Sequence, residues 1–273
     1  MKKITVFTPT YNRAYCLQQS YDNLVKQTNL NFCWLIIDDG STDNTDALVK
    51  SWISENKIDI RYHYQNNQGM HGAHNTAYQL IDTELNVCID SDDFMPPGAI
   101  ENILSFSSKN SATSNIAGYI GLDAYKNGDI IGKEFPLNIK SSTLEDLYHK
   151  HKIYGDKKIV YRTEVVKKYK HYPIYPEERF VPLGSLYLVI DKDYELLCMN
   201  EILCIVEYME DGSSRNIVKQ YYKHPKGFQY SRIINMKYSN YFKVRLKNAM
   251  HYVSHSIQLK DYKFLNKTPL VFY

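Results

Sequence analysis

The stretch FCWLIIDDGSTDNTDALVKSWI, Phe32 to Ile53, passes once from one kind of backbone order to another. Phe32–Asp38 is an apolar run of strand length, rich in aromatic and β-branched residues, and the turn signal Asp39-Gly40-Ser41 ends it. Thr42 or Asp43 can cap the helix that follows, in which Leu48, Trp52 and Ile53 recur at helical spacing. The same unit stands on both sides. ITVFT (4–8) is a buried-strand run that stops at Pro9, and Leu17, Tyr21, Leu24 and Val25 share a helical face after it. IDIRYHY (58–64) precedes the helical GAHNTAYQLI, and LNVCID (85–90) precedes a helix that Pro97 opens in its first turn. Strands alternating with helices predict an α/β fold with a Rossmann-like, mostly parallel sheet flanked by helices.

Such sheets bind ligands beyond the carboxyl ends of their strands. Four polar segments stand at those ends: PTYNR (9–13), DDGSTD (38–43), NNQGMHGAHN (66–75) and DSDD (90–93). After residue 110 the pattern loosens. NIAGYIGLDAY (115–125) reads as a strand, TLEDLYHKH (143–151) as a short helix capped by Thr143, and KIVYRTEVVKKY (158–169) as a strand running into a helix. ELLCMNEILCIVEYM (195–209) holds one or two strands, and beyond Gly212 the chain reads as helical.

With 273 residues, 44% hydrophobic and 23% charged, the composition is that of an ordinary globular protein with a sizeable core. A net charge of +3 and the lack of an RNA- or DNA-binding signature argue against nucleic acid as a partner. The apolar run in MKKITVFTPTYNRAY is too short for a signal peptide, and no run of about eighteen apolar residues predicts a membrane span. The five cysteines lie mostly in apolar stretches without a C-x-x-C pair, as expected of reduced core residues in a cytoplasmic protein.

DSDD crowds Asp90, Asp92 and Asp93 around Ser91 with no lysine or arginine beside them in sequence. An EF-hand is excluded, because the sixth place counted from Asp90 holds Met95 where the motif needs glycine for its sharp turn, even though Glu101 stands at the twelfth. A phosphatase of the D-x-D-x-[TV] type is a poor match at Phe94. A capped turn and a D-x-D site for Mg²⁺ or Mn²⁺ remain, the cation then serving as the counter-charge. Asp38 and Asp39 offer a second acid pair, able to accept from a nucleobase N–H or simply to shape a turn, and Gly40 lets backbone approach a ligand. Tyr11 can pack on a base and Arg13 can meet phosphate, or the two can belong to a plain helix start. His71 and His74 have helical metal-ligand spacing but no third ligand nearby, so a phosphate- or sugar-facing loop is preferred to zinc.

Taken in order, the strand with PTYNR, then DDGSTDNT, NQGMHGAHNTA, and DSDD with Pro97 five places after Asp92 resemble the family 2 glycosyltransferases of GT-A fold, over residues 3–104. The later segments GDKKIVYRTEVVKKY, EERFVPLGSLY, CIVEYMEDGSS and HPKGF are similar to a bacterial branch that works on surface polysaccharides. The resemblance implies a metal-dependent, inverting transfer from a UDP-sugar to a saccharide acceptor, often linked to polyprenyl diphosphate, on the cytoplasmic face of a membrane. It implies that Pro9, Tyr11 and Arg13 line the nucleotide pocket, that Asp39 binds uracil while Asp38 supports the loop, and that Gly69, Ala73, His74 and Asn75 contact diphosphate or ribose. Many relatives carry Arg or Lys where His74 stands. Asp90, beside Ser91, would sit near ribose and the metal waters, and Asp92 would bind Mn²⁺ or Mg²⁺. The family's base comes from an acidic pair ahead of a helix, but here Leu183 falls where an acid is expected, so Glu178 is taken as the base, with Glu177 and Asp156 as alternatives. Asp211 is read as a turn residue.

Residues 227–264 mix Ile, Tyr, Phe and Val with Arg232, Lys237, Lys243, Arg245 and Lys247, a pattern for either a packed helix pair or a basic amphipathic helix on an anionic membrane. The expected organisation is a nucleotide-sugar half (1–110), an acceptor half (111–212) and a helical C-terminal region (213–273). Two rival readings are a sugar nucleotidyltransferase, which would want glycine in the loop TPTYNRAY, and a non-catalytic sugar-nucleotide or glycan-binding module, which Leu183 keeps open.

Overall fold

Alternation along the first two strands sorts the core into two layers. In β1 (Ile4–Thr10) Ile4 and Val6 face one side and Phe7 the other; in β2 (Phe32–Asp38) Phe32, Trp34 and Ile36 oppose Leu35 and Ile37. Both strands are buried along their whole lengths, as a strand covered by helices on both faces must be. The computed structural model describes residues 2–110, 114–207, 209 and 217–269. After β1 come α1 (Ala14–Val25), β2, α2 (Thr45–Glu55), β3 (Asp59–Tyr64), α3 (Met70–Leu80), β4 (Leu85–Cys88), α4 (Ala99–Lys109) and β5 (Ile116–Ala124). Then follow β6 (Ser141–Ser142), α5 (Leu144–His149), β7 (Lys157–Arg162), α6 (Thr163–Val166), α7 (Gly184–Asp191), β8 (Glu195–Ile205), α8 (Ile217–Lys223), α9 (Pro225–Tyr238) and α10 (Phe242–Gln258).

One eight-stranded sheet takes the order β3-β2-β1-β4-β7-β5-β8-β6. The first four strands are mutually parallel, while β7 runs antiparallel to both β4 and β5. Leu17, Tyr21 and Leu24 of α1, Val49 and Trp52 of α2 and Ile100 and Ile103 of α4 cover one face; Tyr21 stacks on Trp52 at 4.6 Å between ring centroids. Ala73, Ala77 and Tyr78 of α3 and Leu186 and Ile190 of α7 cover the other. The expected mixed α/β architecture with a mostly parallel sheet is therefore present.

β1 continues through Pro9, where the sequence predicted a stop. Thr10 accepts the Asp39 N–H on the β2 side and Phe7 accepts the Ile89 N–H on the β4 side. Pro9, two residues after Phe7, therefore presents its missing donor toward β4, past the last β4 partner at Cys88. Pro97 stands just ahead of α4, whose N-cap is Gly98. Thr143 caps α5 as expected, its side chain accepting from the Asp146 N–H at 3.0 Å.

The C-terminal helices α9 and α10 form a hairpin held at both ends by acids of the preceding region. Glu178 accepts the N–H groups of Lys226 (2.9 Å) and Gly227 (2.8 Å) at the start of α9. Glu145 accepts from the Ser239 hydroxyl and the Asn240 N–H at the turn, and Asp146 accepts from the Tyr241 hydroxyl at 2.7 Å. Asp211 lies outside the described residues.

Candidate active site

The carboxyl ends of β1 to β4 open onto a cleft of about 930 Å³. Pro9, Tyr11, Arg13, Asp39, Gly69, Ala73, Asp90, Ser91 and Asp92 line it, together with Asp156 from the turn before β7. Its loops are stitched to one another. Asn12, in the left-handed region at φ 54°, accepts from the Thr42 N–H at 2.8 Å and donates its own N–H to Ser41 at 2.9 Å. Asp43 accepts from the N–H groups of both Ala14 and Thr45, the first turns of α1 and α2. Asp38 holds the turn by accepting from the Ser41 N–H (2.7 Å) and the Tyr62 hydroxyl (2.6 Å).

Asp39 is 3% exposed, and burial pushes its carboxyl above the usual range against three donors: Gln65 Nε2 (2.7 Å), the Gln68 N–H (2.9 Å) and the Gly69 N–H (2.7 Å). Two of these fall on Oδ1 and one on Oδ2, so Oδ2 keeps a lone pair for one more donor from the cleft. Gly69 has no room for a side chain, since a Cβ would lie 2.0 Å from the Arg179 carbonyl oxygen, and its φ of 83° is left-handed as well. That contact presses the 65–69 loop against the segment leading to α7.

The acids of DSDD do have protein counter-charges, contrary to the sequence expectation. Lys158, on β7, sits 4.0 Å from Asp123 at the end of β5, and its side chain is 13% exposed. Burial opposes its charge, but Asp123, Asp93 and Asp90 around it hold the ammonium well above the usual range. Arg13 lies 3.9 Å from Asp92. Asp93 turns inward and accepts the Glu207 N–H at 3.1 Å; burial pushes its carboxyl up to about 7. If ionised, Asp90, Asp92, Asp93 and Asp123 outnumber Lys158 and Arg13 by two charges, and Asp123 Oδ1 is a buried oxygen without a hydrogen-bond partner. An oxygen-only donor set with an excess of two negative charges fits a hard divalent ion. Among the described residues no group of three His, Cys, Asp or Glu side chains is arranged to hold one by itself.

The sequence model of the family described as "Glycosyl transferase family 2" matches residues 5–170, more than half of the chain. The chain belongs to glycosyl transferase family 2. It is 28% identical over 130 residues to the Escherichia coli UDP-Glc:alpha-D-GlcNAc-diphosphoundecaprenol beta-1,3-glucosyltransferase WfgD, covering 48% of this chain and 49% of that protein. To glycosyltransferase GlyG of Streptococcus pneumoniae it is 28% identical over 121 residues, 44% of this chain and 40% of the relative. The chain thus matches less than half the length of these relatives. Among solved structures, Staphylococcus aureus TarS 1–349 in complex with UDP-GlcNAc superposes with a TM-score of 0.64 at 16% identity, covering 98% of this chain and 76% of that one. The mannosyltransferase PcManGT of Pyrobaculum calidifontis, solved with GDP-Man and Mn2+, gives 0.60 at 17% identity, over 95% and 74%. The fold is that of the GT-A glycosyltransferases.

Within this family frame, several expected site residues stand elsewhere. His74 points into the core, edge-on to Phe7 at 5.0 Å, and burial lowers its imidazole to about 3, so it cannot bring charge to a diphosphate. Asn75 exchanges two hydrogen bonds of 2.9 Å with the backbone of Tyr172 and serves to tie α3 to that loop. Glu178 is buried as the cap of α9, and Glu177 is 71% exposed and paired with Lys226 at 3.0 Å; neither lines the cleft. Asp156, the remaining base candidate, does. Sequence reasoning missed Asp123, Lys158, Arg179, Lys223 and His224, all lining the same cleft. A signal existed for Lys158, since it heads the apolar run IVY on a predicted strand. No signal marked its partner.

Proposed function

We propose that this chain transfers a sugar with inversion from a UDP-sugar to a saccharide acceptor carried on polyprenyl diphosphate, in bacterial surface polysaccharide synthesis at the cytoplasmic face of a membrane. The observation that carries this reading is the arrival of loops from four neighbouring parallel strands on one acid-lined cleft. The name of WfgD, with its UDP-Glc donor and diphosphoundecaprenol-linked acceptor, and the UDP-GlcNAc complex of TarS support the choice of substrates. The Mn2+ complex of PcManGT supports a divalent cofactor. Residues 1–110 serve as the donor half, 111–212 as the acceptor half and 213–273 as a C-terminal region whose described helices complete the cleft and meet the membrane.

Tyr11, half exposed at the cleft rim, packs on the nucleobase, and the open lone pair of Asp39 accepts from its N–H. Gly69 and Ala73 line the part of the cleft that takes the ribose and diphosphate, and Arg13 faces the phosphates. Asp92 and Asp90 would hold Mn²⁺ or Mg²⁺, with substrate oxygens and water completing the shell, and the bound cation supplies Lewis-acid stabilisation to the departing diphosphate. Asp156, on the acceptor side, takes the proton from the acceptor hydroxyl as that oxygen attacks the sugar C1.

Calorimetry with UDP, with and without Mn²⁺, on wild type and Asp92→Ala tests the donor site. Binding that needs both the ion and Asp92 is expected; no UDP binding in any condition would overturn the reading. Asp156→Asn should keep UDP binding and lose transfer by about 10²–10⁴-fold. UDP binding with no transfer by wild type would favour a binding module, the reading that Leu183 at the head of α7 supports.

A further inference from the structure

α10 is built inside out for a helix that packs only in water. The face it turns inward carries Asn248, Tyr252, His255 and Ser256, with Asn248 accepting from Arg232 and Ser256 from Gln229. The face turned outward carries Phe242, Leu246, Met250, Val253 and Ile257, exposed by 54%, 41%, 62%, 39% and 61%. At about 100° per residue these five fall within an arc of roughly 80°, one continuous apolar stripe. An amphipathic helix in a soluble fold normally presents the opposite arrangement. No described residue is packed over the stripe.

The charge around it is equally one-sided. Residues 217–269 hold eleven Lys and Arg against Asp261 alone, a balance of +10, so the rest of the +3 chain stands at −7. Lys243 and Lys247 are exposed along one flank of the stripe, and Tyr262 and Leu265, beyond the end of the helix, are 79% and 71% exposed. A second copy on this face would set two strongly positive regions against each other, which like-charge repulsion disfavours. A bilayer bearing anionic lipid satisfies both features at once, the acyl boundary taking the stripe and the headgroups the lysines. With Lys243, Arg245 and Lys247 in it, α10 would lie in the interface plane; among the described residues no helix is long and apolar enough to cross a membrane.

We propose that the outer face of α10 docks this protein on an anionic membrane surface. The proposal deepens the membrane location given above and rests on that reading only for the acceptor's lipid anchor. α9 joins this face to the cleft, because α10 packs on α9 and His224, just before α9, lines the cleft.

The test is flotation of the full chain with phosphatidylcholine vesicles, with and without phosphatidylglycerol, at low and high salt. Binding should require the anionic lipid, weaken with salt, and fall at least about tenfold in the Leu246→Glu, Met250→Glu double variant and severalfold in Lys243→Gln, Lys247→Gln. These positions are exposed, and unchanged UDP calorimetry would show the cleft intact, which separates failure here from failure of the donor-site reading. As a second measure, Met250→Trp should shift its emission to the blue on vesicles while the buried Trp34 and Trp52 stay constant. Indifference to anionic vesicles, or vesicle binding untouched by the double glutamate variant, would overturn the proposal. So would a dimer on size exclusion that the same variant dissociates.

Discussion

Lys158→Met should cost stability at neutral pH and almost nothing near pH 6. Burial pushes the Asp123 carboxyl from the usual 3.8 up to about 6, even with the Lys158 ammonium 4.0 Å away. At about 1.36 kcal/mol per unit, that shift already costs roughly 3 kcal/mol at neutral pH. Without the ammonium the carboxyl takes up a proton instead of staying charged. Protonating a group of usual value 3.8 at about pH 7.5 caps the total penalty at roughly 5 kcal/mol. Lys158 therefore contributes about 2 kcal/mol through Asp123 at about pH 7.5, equivalent to a melting shift of roughly 4–8 °C. The sign follows from a carboxyl raised on folding: the native state holds the proton more tightly, so its stability falls as pH rises, and in the variant this fall continues past 6. Urea unfolding followed by the buried Trp34 and Trp52 at both pH values is the assay. An equal loss at the two pH values, or none at the higher one, would refute the account of Lys158 as internal counter-charge.

Other expectations follow from the same side chains. Glu178→Ala leaves two N–H groups at the start of α9 without their acceptor, costing about 1–3 kcal/mol in denaturant unfolding, while kcat on a short soluble acceptor stays within a few fold; a loss above about a hundredfold in a folded variant would restore Glu178 as the base. Asp191, also buried, has its carboxyl pushed up to about 7 by burial, so wild-type stability should fall by about 2 kcal/mol through this group between about pH 5.5 and 7. Asp191→Asn should flatten that part of the pH profile, and an unchanged slope would count against it. Gly69→Ala should weaken UDP binding, because its Cβ would meet the Arg179 backbone.

The donor half was largely legible because its signals are local. Short apolar runs and helical spacing placed β1 to β4 and the helices after them, and the polar runs at the strand ends were correctly taken to share one edge. His74 was misread for want of a partner in sequence. With Ala73, Ala77 and Tyr78 it occupies the sheet-facing stripe of α3, and only contact with Phe7 reveals that. Lys158 and Asp123 meet because β7 runs antiparallel beside β5, a pairing across the sheet that periodicity does not encode. Glu178 looked available for chemistry because the N–H groups it accepts from belong to a helix almost fifty positions later.

The fastening of the α9–α10 hairpin bears on how this chain could be recombined with its relatives. Its attachment points, Glu145, Asp146 and Glu178, all belong to the preceding segment rather than to the hairpin. Arg179, next to one of them, carries the contact inward: its N–H donates to His224 and its carbonyl abuts Gly69. A chimera that swaps only the last two helices would therefore separate each acid from its donors and loosen the wall of the cleft. Exchanging residues 143–149 and 175–181 along with the hairpin keeps those latches in matched pairs, and makes the unit of inheritance discontinuous in sequence though contiguous in space.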